Sequence, residues 1–535
     1  MKRKLLSVLL VIALLVSMIS GCSKQDGKGK TAGDDNTPTK EASADGKTEG
    51  GSEASQEPVT LTYWVPLNGS ASKFISSYNE NTAYQEAMKR LGINIEFIHP
   101  AVGQEDEQFN LMLLSDKLPD IIAYGNKYIG GEFQGMRDGV FLDLTDLIPE
   151  YAPDYNNLLQ SDEEFYREAT DNERKIAAFY GYKVSGDPPF TRWILNDDVL
   201  KKLNVEIPQT IDEFETMFDK MLAEGITPYA LAAKGYEEQL MGLWDIVKDF
   251  YIQDGQIKFG QMQEGFKNYL TLLNEWYAKG YISKDFTSLD VNTTNTLFDS
   301  GAIGTFTGPI VANYNRGEAQ GIKVVPAPYP RLQPGQKLHY QSANLWPKMT
   351  QNECTVVISK DCSNVEAAMK FLNYGYTQEG ADLLNWGVEG LNWEQKGDQK
   401  VYNDLMLNNE KFGTEEASYI YKMHFAPKLN YPDTVCHANL LKSEGALNVR
   451  LQWKDDPDMD SSLQLPPFQL DADQQQRLGE IMTQVNTYCD EMVLKFITEA
   501  ESLDNFDKYV DSIKSLGIEE ALKMKQEGYD NYMKK

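Results

Sequence analysis

The feature that most restricts the fold of this chain is an alternation that begins abruptly at Val59. The run Val59-Thr60-Leu61-Thr62-Tyr63-Trp64-Val65 has a period-two apolar pattern and a β-rich composition, which predicts a strand. A helical stretch from Tyr84 to Leu91 is stopped by Gly92. Ile93-Asn94-Ile95-Glu96-Phe97-Ile98 then places Ile93, Ile95 and Phe97 on one face of a second strand. The unit repeats: Phe109 to Leu114 reads as helix, Leu118-Pro119-Asp120 ends it, and Ile121-Ile122-Ala123-Tyr124 reads as a short buried strand. This order predicts an α/β fold whose mostly parallel sheet is covered by helices on both faces.

The pattern recurs farther along. Thr210-Ile211-Asp212-Glu213 has capping-box spacing and opens a stripe of Phe214, Met217, Phe218, Met221 and Leu222 that ends at Gly225. Phe266, Tyr269, Leu270, Leu273, Trp276 and Tyr277 form another stripe, stopped by Gly280, with strand-like runs at Tyr229–Leu231, Ala302–Phe306 and Ile322–Val325. A further capping box is read at Ser363-Asn364-Val365-Glu366, and the C-terminal region is helical, with stripes through Leu478–Phe496 and Phe506–Ile513. These stripes are core faces. With 535 residues the chain exceeds what one core organises, so two domains are expected.

Ahead of Val59 nothing can build a core. Residues 1–21 combine a basic start, an apolar run of about 15 residues and a small-residue ending at Ser20-Gly21, too short to span a bilayer and followed at once by Cys22. This predicts a lipoprotein signal peptide, with Cys22 acylated, a palmitate-type anchor holding the protein outside the cytoplasm. Residues 22–58 are Gly, Ser, Thr, Asp, Lys and Glu with almost no large apolar side chain, a flexible tether reaching roughly 30–35 Å. The formal net charge of −29 excludes binding to nucleic acid or an anionic membrane through bulk electrostatics. Cys354 and Cys362 flank a predicted strand, Thr355–Ser359, too long for a local bridge, and free thiols are expected at the four later cysteines.

No motif for chemistry stands out. The histidines His99, His339, His424 and His437 are scattered, and adjacent Cys436-His437 would point apart, so no metal site is expected. Asp456, Asp458 and Asp460 imitate the start of a calcium loop, but Ser461 occupies the turn-glycine position and Pro467 the bidentate-glutamate position. No phosphate loop, serine elbow or cofactor motif is present, and no local motif argues for a glycosidase pair among 80 carboxylates. The chain instead has aromatics beside small polar residues at predicted strand ends: Trp64 with Asn68, Tyr124 with Asn126, Trp193, Tyr236 and Thr307. In open α/β sheets ligands bind beyond the carboxyl ends of strands. Rings to cover a pyranose face, with amides and hydroxyls around them, point to a cleft for a neutral or polar ligand such as a sugar.

The order of segments resembles extracellular solute-binding proteins of ABC importers, in the lipoprotein branch that includes alginate-oligosaccharide-binding proteins. The resemblance is carried by Glu107–Leu114 running into Leu118-Pro119-Asp120, by Gly139–Ile148 before Tyr151-Ala152-Pro153, and by Asp197–Pro208 before Thr210–Phe214. It continues through Leu273–Asp285, Gly387-Val388-Glu389-Gly390, Lys495-Phe496-Ile497-Thr498 and Tyr529-Asp530-Asn531-Tyr532. It implies a two-lobed type II periplasmic-binding-protein fold with a helical C-terminal region, a cleft that Glu389 helps to line, a multi-crossing hinge, and delivery to permease subunits by a monomer without catalysis. The lobes are expected at 59–180 and 351–390 for the first and at 181–350 and 391–535 for the second, with crossings near Tyr180, near Cys354 and around Trp386 to Trp393. Two departures narrow the expectation. Gly225-Ile226-Thr227-Pro228 leaves no room for the calcium loop some relatives carry. Asn196 and Gly308-Pro309 replace an arginine and a tryptophan, so uronate recognition is not carried over. A receptor for peptides or other polar solutes, a surface polysaccharide-degrading enzyme and a structural envelope lipoprotein are the alternatives.

Overall fold

The computed structural model describes residues 58–185, 190–340, 348–350, 354–423, 426–431, 436, 444–452 and 456–535. The expected signal peptide, Cys22 and the expected tether as far as residue 57 lie outside the described residues, as do His424 and His437. The first strand forms where the alternation places it, β1 at Val59–Trp64, and β2 occupies Ile93–Ile98 with buried and exposed residues in strict alternation. They pair in parallel from Val59 opposite Ile93 to Trp64 opposite Ile98. β3, Ile121–Ile122, lies parallel to β1 on its other side. The sheet is completed by β12, Val357–Ile358, which runs antiparallel to β3 and reaches it from far along the chain.

The second sheet has the order β10-β5-β9-β6, formed by Val324–Ala327, Thr191–Asn196, Ile303–Pro309 and Thr227–Ala230. Here the expectation of a mostly parallel sheet needs correction. β6 and β9 are parallel, but β5 is antiparallel to both of its neighbours, because the chain enters this lobe at the edge where β9 ends and must run back across the sheet. Two hairpins, β7–β8 (Phe250–Gln253, Gln256–Phe259) and β13–β14 (Trp393–Lys396, Gln399–Tyr402), stand apart from the main sheets.

Two separate cores follow. The first gathers Leu61, Tyr63, Ile95, Phe109, Ile121 and Phe179 with Val357, Met369 and Leu372. The second gathers Trp193, Phe214, Phe218, Tyr229, Phe266 and Trp276 with Val485, Phe496 and Ile513 from the C-terminal helices. Fully burying one such large side chain contributes about 1.5–3 kcal/mol. The stripe beginning at the Thr210 box is this second core's helix, Ile211–Ala223, with both reciprocal bonds of the box in place. The box read at Ser363 shifts by one residue. Asn364 caps the helix Val365–Tyr374 by accepting from Ala367 N–H, while Ser363 N–H donates to Asp120.

The assignment of everything after 390 to the second lobe is also corrected, since Ile420, Met423 and Ala426 sit in the first core. Trp386, Trp393, Tyr402 and Met406 form a satellite core flanked by Phe412 and Tyr421, which also pack on the first core. The chain therefore does not cross at Trp386 to Trp393. Of the Asp456 run, Asp456 pairs with Arg331 and Asp460 with Lys337. Cys362, Cys436 and Cys489 are unbridged thiols, as expected.

A third sheet joins the passes between lobes. β4 (Gly181–Lys183) is its centre, with β11 (Met349–Thr350) antiparallel on one side and β15 (Leu429–Asn430) parallel on the other. β4 and β15 leave the first core and β11 enters it, as their directions require. Two of them, β4 and β11, are tied to the helix Glu163–Ala169. Asp162 caps it through Oδ1, which accepts from Glu164 and Phe165 N–H, while Oδ2 accepts from Tyr182 Oη and from Lys348 Nζ. Glu168 on the same helix accepts the N–H groups of Lys348 (3.3 Å) and Met349 (2.7 Å). Burial pushes the Glu168 carboxyl up to about 7, with Glu164 and Asp162 adding to the rise and the two N–H bonds opposing it.

Asp162→Ala should therefore remove a cap and leave Tyr182 and Lys348 without their acceptor, a loss of about 2–3 kcal/mol. Urea unfolding at constant m-value should register it as a lower midpoint. A loss below about 0.5 kcal/mol would mean that water replaces these bonds.

Candidate functional site

The crossing sheet locates the site. β1 and β3 are parallel, so Trp64 and Ile122 end on one edge of the first sheet, where β12 begins with Val357 opposite Ile122. Phe179, just before β4, exchanges both backbone bonds with Val356 there. The chain thus departs from the carboxyl edge of the first sheet. It enters the second at Thr191, opposite Pro309 at the end of β9, with the end of β6 alongside. Each lobe turns the carboxyl edge of its sheet toward the crossing, where ligands bind in open α/β folds.

On the first-lobe edge the chain makes a tight left-handed turn at Tyr124, whose φ of 59° is uncommon for a non-glycine residue. The next position must be glycine: a Cβ on Gly125 would lie 2.5 Å from Val357 Cγ1, and Gly125 N–H bonds to Thr355 O at 2.9 Å. The turn holds Tyr124 and Asn126 half-buried at the edge, with Lys127 Nζ 4.5 Å from the Tyr124 ring centroid and paired with Asp106. Asn68 lies in the loop after β1, but its Oδ1 accepts from Ser70 and Ala71 N–H, so much of its capacity serves its own turn. Trp64 lies beneath this edge, 3 % exposed and edge-on to Phe109, as a core residue.

On the second-lobe edge Trp193 is likewise core. It is 0 % exposed, its ring centroid 4.7 Å from that of Phe214 and 4.6 Å from that of Tyr229. Both tryptophans were expected in the cleft from their place beside small polar residues at predicted strand ends, a local pattern that does not report whether a helix covers the ring. Thr307, opposite Trp193 in the ladder, is half-buried, and its hydroxyl donates to Glu237 Oε2 at 2.6 Å. Tyr229 Oη donates to the same oxygen at 3.2 Å, and Gln239 N–H to Oε1 at 3.2 Å. Glu237 N–H donates to Tyr269 Oη, which in turn donates to Gly235 O. Burial raises the Glu237 carboxyl to about 7; Glu238 adds to the rise, while Thr307, Gln239 and Tyr229 oppose it. Tyr236 is half-buried, with Lys248 Nζ 4.5 Å from its ring centroid. Phe190 stands 54 % exposed at the start of β5, and Arg192 beside it packs over Tyr329.

The structure therefore brings Asn68, Tyr124 and Asn126 to one edge and Tyr236 and Thr307 to the other, and buries Trp64 and Trp193 beneath them. Glu389 is exposed in the turn before β13, bridged to Trp393 in the satellite core. Glu237 and Phe190 were missed. Phe190 follows Pro188-Pro189 in the sequence and precedes β5, a legible strand-start signal. Glu237 carried none, because its partner Thr307 is 70 positions away.

A cavity of about 830 Å³ adjoins the first-lobe edge, lined by Asn110, Leu113, Tyr128, Ile129, Gln134 and Asp471. Asp471 caps the long helix Ala472–Ile497 of the second core, so elements from both lobes bound this space. Nearby, Gln469 Nε2 and Tyr180 Oη both donate to buried Glu132 of the first lobe.

A core role for Trp193 has a direct test. Trp193→Ala should cost about 3–5 kcal/mol of unfolding free energy. A variant of unchanged stability would place the ring in the cleft after all.

Comparison with known proteins gives the lineage. The chain is 23% identical over 350 residues to lipoprotein LipO of Bacillus subtilis, spanning 61% of this chain and 66% of that protein. It is 22% identical over 526 residues to the fructooligosaccharide ABC transporter substrate-binding protein FusA of Streptococcus pneumoniae, spanning 92% of this chain and 94% of that one. Its fold matches the crystal structure of alginate-binding protein AlgQ2 without calcium ion, with a TM-score of 0.64, 20% identity, and coverage of 89% of this chain and 99% of the other. The two cores are thus the two lobes of a solute-binding fold. The family model for bacterial extracellular solute-binding proteins matches residues 71–382, more than half of the sequence, and the chain belongs to that family.

Proposed function

We propose that this protein is the substrate-binding component of an ABC importer, that it captures an oligosaccharide by closing its two lobes, and that it performs no catalysis. The observation that carries the reading is the pair of facing carboxyl edges, supplied with half-exposed rings and with amides and hydroxyls, and joined by a three-stranded crossing sheet. Tyr124 and Phe190 offer faces to apolar sugar surfaces. Asn126, Asn68 and Thr307 offer neutral hydrogen bonds. The names of FusA and AlgQ2 both specify saccharides, and their similarity supports the same ligand class here. The ladder is the hinge: it flexes while keeping its hydrogen bonds, so ligand contacts made only in the closed state shift the population toward closure.

The protein works as a monomer outside the cytoplasm, held by lipid on Cys22, a reading to which the similarity to a named lipoprotein adds support. Two acyl chains anchor stably where one does not.

Thermal-shift screening of the tether-free protein against fructo-oligosaccharides, alginate oligosaccharides and short peptides should yield a saccharide that raises Tm. Small-angle scattering at saturation should then show a smaller radius of gyration. Stabilisation by peptides alone would transfer the reading to a peptide receptor, and an unchanged scattering curve would remove the closure mechanism. Cys22→Ala should abolish lipid labelling and membrane retention; a retained, lipid-labelled variant would refute the anchor.

A further inference from the structure

Glu237 is buried at the carboxyl edge of the second sheet, 6 % exposed, and every bond it receives comes from a neutral donor. When ionised, the carboxylate can only accept, so in that state the proton in its 2.6 Å contact with Thr307 belongs to the threonine hydroxyl. A hydroxyl whose one proton is drawn inward has only lone pairs left to present outward. Thr307 is half-buried, so its oxygen has an open side.

We infer that Glu237 is a positioning residue that sets the direction of hydrogen bonding at this edge: it holds the Thr307 proton inward, so that the Thr307 oxygen accepts a hydroxyl proton from the bound saccharide. The inference rests on the proposal that this edge lines a saccharide cleft. Protonation of Glu237 reverses the arrangement. The acid proton then occupies the shared contact and Thr307 turns its own proton outward, so a site that selected a ligand donor would face that donor with another donor. A ligand hydroxyl donating to Thr307 also polarises the bond to Glu237, and the two bonds strengthen each other.

The titratable groups facing Glu237 are Tyr229 from β6, Tyr269 from the helix Glu264–Lys279, and Glu238 in its own turn. Burial holds both phenols well above their ordinary range, so they stay protonated at neutral pH. Glu238 is also raised by burial, and it accepts from Tyr340 Oη. The switch therefore falls where Glu237 titrates, at about 7. Its folded-state value lies above that of an unfolded glutamate, so stability conferred by its neutral form is present at low pH and lost as pH rises toward about 7. Thr307 bonds to the charged form and lowers the midpoint of that loss.

A ligand-free experiment tests the proton's direction. The difference in Tm between each protein and its Glu237→Gln counterpart, followed from pH 5 to pH 9, isolates this carboxyl; Glu238→Gln serves as the control for its neighbour. Thr307→Val should move the midpoint to higher pH, and Thr307→Ser should leave it in place. An unmoved midpoint in Thr307→Val overturns the inference whether or not any saccharide binds.

Calorimetry with the fructo-oligosaccharide or alginate oligosaccharide that stabilises the wild type tests the outward half. Affinity should rise about two- to tenfold from pH 6 to pH 8 in the wild type and lie flat in Glu237→Gln. A flat wild-type profile overturns the inference. A shifted midpoint in Thr307→Val combined with no binding by any saccharide overturns the functional reading and leaves the inward proton established.

Discussion

Everything about the site depends on the ladder of β4, β11 and β15. A single connecting strand would let two lobes drift, and separate linkers would bend independently. Here each pass supplies hydrogen-bonding partners to another, and one helix of the first lobe fixes two of them through Asp162 and Glu168. The backbone groups of the crossing are thereby satisfied inside the protein rather than by water. The carboxyl edges of the two sheets are thereby joined through three paired strands. The unusual run of β5 has the same origin, since a chain delivered to the carboxyl edge has to traverse the second sheet in reverse.

Three buried carboxylates, Glu132, Glu168 and Glu237, share one chemistry. Each is raised above its ordinary value mainly by burial, and each accepts hydrogen bonds from hydroxyl or amide groups. Neutral donors satisfy geometry without cancelling the cost of desolvating charge. Each also sits where segments meet: Glu132 against Gln469 of the C-terminal region, Glu168 against the incoming strand, and Glu237 between the ends of β6 and β9. Surface pairs such as Arg477 with Glu520 look stronger on paper but are exposed and screened, and contribute little.

The elements were legible where the pattern is local. β2 follows its alternation residue for residue, and the Thr210 box opens its helix as read. The crossings were harder. β15 is two residues long, with no period to detect, and its place is set by Tyr182 and Lys183, almost 250 positions earlier in the chain. The site was half legible. Tyr124, Asn126, Tyr236 and Thr307 lie half-buried near the strand ends where the local pattern put them. Trp64 and Trp193 follow the same local rule and lie in the cores, because depth is decided by Phe109 and Phe214, which the strands themselves do not contain. Glu389 was expected through family resemblance, not local chemistry, and it stands exposed in the turn before the hairpin β13–β14.

The position of β12 has a consequence for how the molecule is made. The first sheet cannot close until Val357 and Ile358 reach β3, and the Ser363 N–H bond that secures the return to Asp120 spans 243 residues. The whole second sheet is encoded in between. The first lobe must therefore wait, with an open sheet edge, while its neighbour is synthesised, and such long-range pairing makes folding slow. An open edge in a crowded cytoplasm invites aggregation. A chain that crosses a membrane before it folds meets that hazard in a different place, where the last strands arrive before the first lobe is complete.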